Sequence, residues 1–123
     1  MFDKNLLSGK RILVTGGGSG LGKEMSKHFL NHGAEVIICG RRDEVLQNTV
    51  KELTGETKGK ISSHSLDIRD SMAIEDTVSN IFDEAPIDGL VNNAAGNFIS
   101  RTQDLSPNGF NAIASIVLSL IHI

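Results

Sequence analysis

Between Thr15 and Gly22 the chain reads Thr-Gly-Gly-Gly-Ser-Gly-Leu-Gly, and five of those eight residues are glycine. Glycines without Cβ atoms let backbone N–H groups close on an anion, and a following helix adds the positive end of its dipole. A diphosphate is the natural guest of such a turn. The spacing fits T-G-x-x-x-G-x-G on Gly16, Gly20 and Gly22. It does not fit G-x-G-x-x-G, because Leu21 stands where the last glycine would be, and it is no Walker A loop, because Lys23 lacks the Lys-Ser/Thr pair. Gly16, Gly18, Ser19, Gly20, Leu21 and Gly22 are therefore the candidate diphosphate contacts. About twenty residues further on comes Gly40-Arg41-Arg42, where a carboxylate would select a free ribose 2′-hydroxyl. Guanidinium groups there instead suit a 2′-phosphate and can stack on adenine.

These groups need a frame. Arg11-Ile12-Leu13-Val14 is a short β-rich run that stops at Thr15-Gly16, as a buried parallel strand does. Leu21, Met25 and Phe29 then recur at helical spacing until Gly33, a natural C-terminal cap. Glu35 to Cys39 is a second apolar strand, followed by a helix with Leu46, Val50 and Leu53 on one face. Thr54 to Lys60 reads as a loop, Ile61 to Leu66 as a weaker strand, and Ile74, Val78, Ile81 and Phe82 as one helical stripe. Gly89 to Asn92 makes a fourth strand that enters a loop over 93–105. Ser106-Pro107 reads as an N-cap with proline at the first helical position, opening a final helix.

Strands alternating with amphipathic helices predict an α/β fold, a Rossmann-type doubly wound parallel sheet truncated after about four strands and five helices. With 123 residues, 39% of them hydrophobic, one compact domain is expected. A net charge of −3 with scattered basic residues offers no field for nucleic acid or anionic lipid. No uncharged stretch reaches membrane-spanning length, and Met1-Phe2-Asp3-Lys4 does not open a signal peptide. The single cysteine, Cys39, suits core packing in a reducing compartment, so a cytoplasmic protein is expected. His28, His32 and His64 have no companions at metal-ligand spacing, and no metal is expected.

Strand, glycine turn, helix and second strand follow in the order the turn requires, and here the sequence resembles the short-chain dehydrogenase/reductase superfamily over nearly its whole length. Asp67-Ile68 after the third strand matches that family's adenine-contacting pair. Asn92-Asn93-Ala94-Ala95-Gly96 after the fourth resembles its Asn-Asn-Ala-Gly element. Physically, Asp67 can accept from the adenine amino group, and Asn92 and Asn93 can satisfy backbone groups in the loop. The structural alternative for Asp67 is a turn residue or a helix cap. The cofactor implied is NADP(H), with Arg41 the main contact on the 2′-phosphate and Arg42 secondary.

A narrower likeness runs through Asn92 to Ser100 and Asp104 to Asn108, which are similar to 2,4-dienoyl-CoA reductases and related enoyl-CoA reductases. That resemblance implies NADPH-dependent reduction of an unsaturated fatty acyl-CoA, with Arg69, Phe98 and Ser106 at acyl-CoA-contacting positions. Surface charge, core aromatic and helix cap are the structural alternatives for the three. A short-chain oxidoreductase acting on a hydroxyl or carbonyl substrate, and an inert dinucleotide-binding fragment, are the other readings. The resemblance also implies a homo-oligomer.

Reductases of this kind need a tyrosine or equivalent acid and a nearby lysine to deliver a proton. The sequence contains no tyrosine, so no catalytic residue is expected within it. Residues 1–117 are expected to form the N-terminal part of one dinucleotide-binding domain. Residues 118–123, Leu-Ser-Leu-Ile-His-Ile, read as the translation of a common transposon-derived sequencing adapter and are expected to be a non-native tail.

Overall fold

The computed structural model describes residues 3–67 and 69–93. Within them the order is β1 (Arg11–Thr15), α1 (Gly20–Asn31), β2 (Glu35–Gly40), α2 (Asp43–Thr57), β3 (Ile61–Ser65), α3 (Ser71–Glu84) and β4 (Gly89–Asn92). The final helix expected from Ser106 and the proposed tail at 118–123 lie outside the described residues, as do Ile68, Ala94 and Phe98.

The four strands form one parallel sheet in the order β3-β2-β1-β4. Alternate residues of the central strands serve opposite faces, as a two-residue period dictates. Ile12, Val14, Val36 and Ile38 pack with Leu30, Leu46 and Leu53 of α1 and α2. Leu13, Ile37 and Cys39 pack on the other face with Ile81 of α3. Ile74 and Val78 of α3 enclose Leu66 just beyond β3. Helices on both faces explain why β1 and β2 are apolar without alternation.

The chain steps outward from β1 to β2 to β3, then returns past β1 to lay down β4. The direction of winding therefore reverses between β1 and β4. In open parallel sheets the crevice beyond the strand ends at such a reversal is where ligands bind.

The buried face of α1 and the ends of α2 and β3 differ from the sequence expectation. The buried face of α1 is Gly22, Ser26 and Leu30, one residue out of step with Leu21, Met25 and Phe29. Two small residues let the helix backbone come close to the sheet, and Ser26 satisfies its hydroxyl by donating to the Gly22 carbonyl at 2.8 Å. Helix α2 continues to Thr57 through the segment expected to be a loop. Its last turn is closed by Lys58 N–H donating to the Thr54 carbonyl at 3.0 Å, with Lys58 in the left-handed region at φ 58°. Strand β3 ends at Ser65 rather than Leu66, although Leu66 stays buried.

Arg11, which sequence reasoning treated only as the start of a strand, is a buried connector. Its guanidinium pairs with Glu35 of β2 at 3.2 Å and donates to the Ile81 carbonyl at 3.1 Å and to the Ala85 carbonyl at the C-terminus of α3. A cation on the last carbonyls of a helix answers the negative end of its dipole.

Candidate functional site

The registers bring Thr15, Cys39, Gly40, Ser65 and Asn92 to the same end of the sheet. The candidate cofactor-binding residues within the described residues lie at or just beyond that end.

The glycine turn leaves β1 with the Gly16 N–H donating to the Cys39 carbonyl at 2.8 Å. Gly16 and Gly20 have positive φ values of 67° and 56°, which side chains other than glycine adopt at a cost. A Cβ on Gly20 would meet nothing within 4 Å, so that stretch of backbone is open to a ligand. A Cβ on Gly22 would lie 2.2 Å from the Gly16 carbonyl oxygen and 2.7 Å from Asn93 Nδ2. Gly22 is thus needed for helix and strand to meet at all. Gly17, not among the sequence candidates, is a packing glycine: it is buried, and a Cβ there would lie 2.4 Å from Ile38 Cγ2.

Helix α1 starts at Gly20 with Ser19 as N-cap. Ser19 makes no side-chain capping bond, and the first turn carries no acidic residue. The orphan N–H groups and the dipole are thereby left for an anion. Leu21, expected both on the apolar face and at the cofactor, is 68% exposed. Packing does not hold it.

From β4, Asn93 Nδ2 donates to the Gly16 carbonyl at 3.2 Å, and Thr15 Oγ1 donates to Asn92 Oδ1 at 3.2 Å. The two asparagines therefore fasten β4 to the start of the glycine turn.

At the end of β2, Arg41 and Arg42 are exposed, and Arg42 is the N-cap residue of α2. Asp43 and Glu44 fill the first turn of that helix, so the helix dipole is answered by carboxylates and the arginines impose no unrelieved cost there. Ser65 Oγ donates to the Arg41 carbonyl at 3.3 Å, which ties β3 to the same corner.

Asp67 stands beside it. Its carboxylate accepts the Arg69 backbone N–H at 2.9 Å and is gripped by the Arg69 guanidinium at 2.8 to 3.2 Å. The Arg69 hydrogen bonds, reinforced by its charge and that of Arg41, hold the Asp67 carboxyl well below the usual carboxylate range. Arg69 is correspondingly raised. Asp67 and Arg69, expected to serve adenine and acyl-CoA separately, are one ion pair. The helix cap here is Asp70, which sequence reasoning missed: its side chain accepts from Ala73 N–H at 3.1 Å. The signal was an aspartate one residue before a helix.

Cys39 is 3% exposed, and burial pushes its thiol up to about 12, which disfavours the thiolate. Among the described residues no group of three His, Cys, Asp or Glu could hold a metal ion. None of the described helices is long and apolar enough to cross a membrane. A groove between α1 and α2 is lined by Gly20, Lys23, Glu24, Lys27, Glu52, Leu53 and Glu56. Lys23 pairs across it with Glu52, and Lys27 with Glu56.

A parallel doubly wound sheet with a glycine turn at its reversal point is a dinucleotide-binding architecture. The family model for short chain dehydrogenases matches residues 10–121, and the chain belongs to that family. It is 46% identical over 115 residues to a Caenorhabditis elegans protein named "probable 2,4-dienoyl-CoA reductase 3", covering 91% of this chain and 37% of the relative. It is 40% identical over 116 residues to the peroxisomal 2,4-dienoyl-CoA reductase of Arabidopsis thaliana, covering 94% and 39%. Among solved structures, the citronellol catabolism dehydrogenase of Pseudomonas aeruginosa PAO1 superposes with a TM-score of 0.80 at 32% identity, over 99% of this chain and 53% of that one. The chain thus spans less than half the length of the two sequence relatives.

Proposed function

We propose that this chain holds NADP(H) for a short-chain reductase whose substrates are unsaturated fatty acyl-CoA thioesters, of the 2,4-dienoyl-CoA or enoyl-CoA kind. The observation that carries the reading is the shared corner of the sheet: an uncapped glycine turn after β1, and Arg41 where β2 ends without a carboxylate. Gly16, Gly18, Ser19, Gly20, Leu21 and Gly22 would surround the diphosphate. Arg41, with Arg42 behind it, would take the 2′-phosphate. Asp67 and Ile68 would receive adenine, and Asn92, Asn93 and Ala94 would shape the wall beside the nicotinamide half. Arg69, Phe98 and Ser106 would touch the acyl-CoA.

The residues present fit the group: the open backbone at Gly20 and the carboxylate-free helix start at α1 both suit a diphosphate. When bound, NADPH supplies the hydride. This chain's own residues bind and orient it, and without any tyrosine they have no phenolic proton donor. The chain by itself is therefore expected to bind the cofactor without turning it over, as an inert dinucleotide-binding unit. The likeness to 2,4-dienoyl-CoA reductases at 46% and 40% identity supports the thioester as substrate.

A second reading within the family is favoured by the 32% identity to a citronellol catabolism dehydrogenase, namely oxidation or reduction at a hydroxyl or carbonyl. The test follows NADPH fluorescence in protein purified from its source. Oxidation on adding 2,4-dienoyl-CoA but not ketones supports the first reading, and the reverse preference overturns it. We also infer a homo-oligomeric parent acting in the cytoplasm, where a lone buried thiol is at home. Because the Arabidopsis relative is named as peroxisomal, imaging of the tagged protein decides the compartment, and peroxisomal fluorescence would refute the cytoplasm.

A further inference from the structure

Thr49 lies in the middle of α2, 3% exposed, and its hydroxyl donates to the carbonyl of Gly18 at 2.6 Å. A buried hydroxyl on a helix can return to the carbonyl four residues earlier in its own helix. Thr57 does so to Leu53 at 2.7 Å, and Ser26 to Gly22 at 2.8 Å. Thr49 instead leaves its helix to reach the glycine turn.

It does not act alone. A Cβ on Gly18 would lie 3.2 Å from Leu46 Cδ2 and 3.3 Å from Val45 Cγ1, and a Cβ on Gly40 would lie 3.2 Å from Leu46 Cδ2. The first two turns of α2 therefore pack against both the diphosphate turn and the residue before Arg41. One rigid element touches both ends of the candidate site.

We propose that Thr49 is a positioning residue for cofactor binding. The Gly18 carbonyl and the Ser19 N–H belong to one planar trans peptide unit and point in opposite directions. Holding the carbonyl down on α2 turns the Ser19 N–H away from the helix, as a donor for the diphosphate. The hydroxyl thus sets the aim of the turn, and the same helix sets its distance from Arg41. This inference rests on the reading that the glycine turn receives the diphosphate of NADPH.

The test uses calorimetric titration of the 123-residue chain with NADPH and with adenosine 2′-monophosphate, which has the 2′-phosphate but no diphosphate. Thr49→Val is expected to weaken NADPH about tenfold, the worth of one well-made hydrogen bond, and to leave adenosine 2′-monophosphate unchanged. Thr49→Ser should restore NADPH. Unchanged NADPH affinity in Thr49→Val, or equal loss of both ligands, would overturn the proposal. Should the valine variant fail to fold, Thr49→Cys against Thr49→Ser carries the same comparison, because a thiol is a weak donor of similar size. Cysteine binding NADPH as well as serine does would then overturn it. If the unaltered chain binds no NADPH, the diphosphate reading fails and Thr49 with it, an outcome distinct from failure at Thr49 alone.

Discussion

Gly22 and Gly20 differ in why they must be glycine, and the difference is measurable. Gly22→Ala drives a Cβ to 2.2 Å from a backbone carbonyl oxygen, a clash no side-chain rotation relieves. Overpacking of that kind costs about 3 kcal/mol, read as a lowered urea midpoint. Gly20→Ala meets open space, and only its φ of 56° penalises it, by roughly 1 kcal/mol. Similar losses in both variants would contradict the geometry. At the Asp67–Arg69 pair, the prediction concerns protons. A carboxyl depressed in the folded state adds stability above its unfolded pKa and loses it as pH falls through the folded one. Here the depression comes first from the Arg69 hydrogen bonds. Arg69→Ala should therefore raise Asp67 part of the way towards the ordinary carboxylate range in a carbon-13 NMR titration, because the backbone N–H of residue 69 still donates to it. A carboxyl that stays as depressed as before would mean that the backbone N–H of residue 69 and Arg41 suffice without the guanidinium. Such pairings were not legible in the sequence: Asp67 and Arg69 each suggested a ligand contact, and only the turn geometry joins them. Thr49 was equally hidden, because a threonine inside a helix signals nothing about a carbonyl 31 residues earlier.

The strands and helices themselves were legible where burial is apolar and continuous. Runs such as Val36-Ile37-Ile38 announce a central parallel strand, and Ile74, Val78 and Ile81 announce the buried stripe of α3. Helix α1 itself was legible but its buried face was not, because that face includes Gly22 and Ser26, and a pattern read from apolar side chains cannot register a face whose virtue is small size. The extension of α2 escaped because Thr54-Gly55-Glu56-Thr57 has turn-like composition. In the structure Thr57 donates to Leu53, and Glu56 pairs with Lys27 at 3.1 Å. Arg11 is the element-scale counterpart, joining β1, β2 and α3. Arg11→Met removes a cation from Glu35, which keeps Lys60 at 3.4 Å, and from two α3 carbonyls. The expected loss is about 2 kcal/mol, read from urea unfolding. Arg11→Lys should recover part of it, since one ammonium cannot fork to carboxylate and carbonyls together. No loss in Arg11→Met would mean that the α3 terminus is held by packing alone.

At the scale of the whole molecule, the order β3-β2-β1-β4 places the glycine turn, the arginine corner and the asparagine pair at one end of the sheet. Alternating strands and helices predicted the parallel sheet; the position of β4 on the far side of β1 follows from neither composition nor periodicity, yet it sets the point where the winding reverses. Short chain dehydrogenase membership and likeness to dienoyl-CoA reductases fit that architecture. If this end of the sheet holds NADP(H) with Arg41 on the 2′-phosphate, as we propose, a paired titration of the chain and its Arg41→Ala variant with NADPH and NADH shows it. The unaltered chain should bind NADPH more tightly, and the variant should lose about tenfold or more for NADPH while NADH changes little. Equal loss for both cofactors, or tighter binding of NADH by the unaltered chain, would contradict the account.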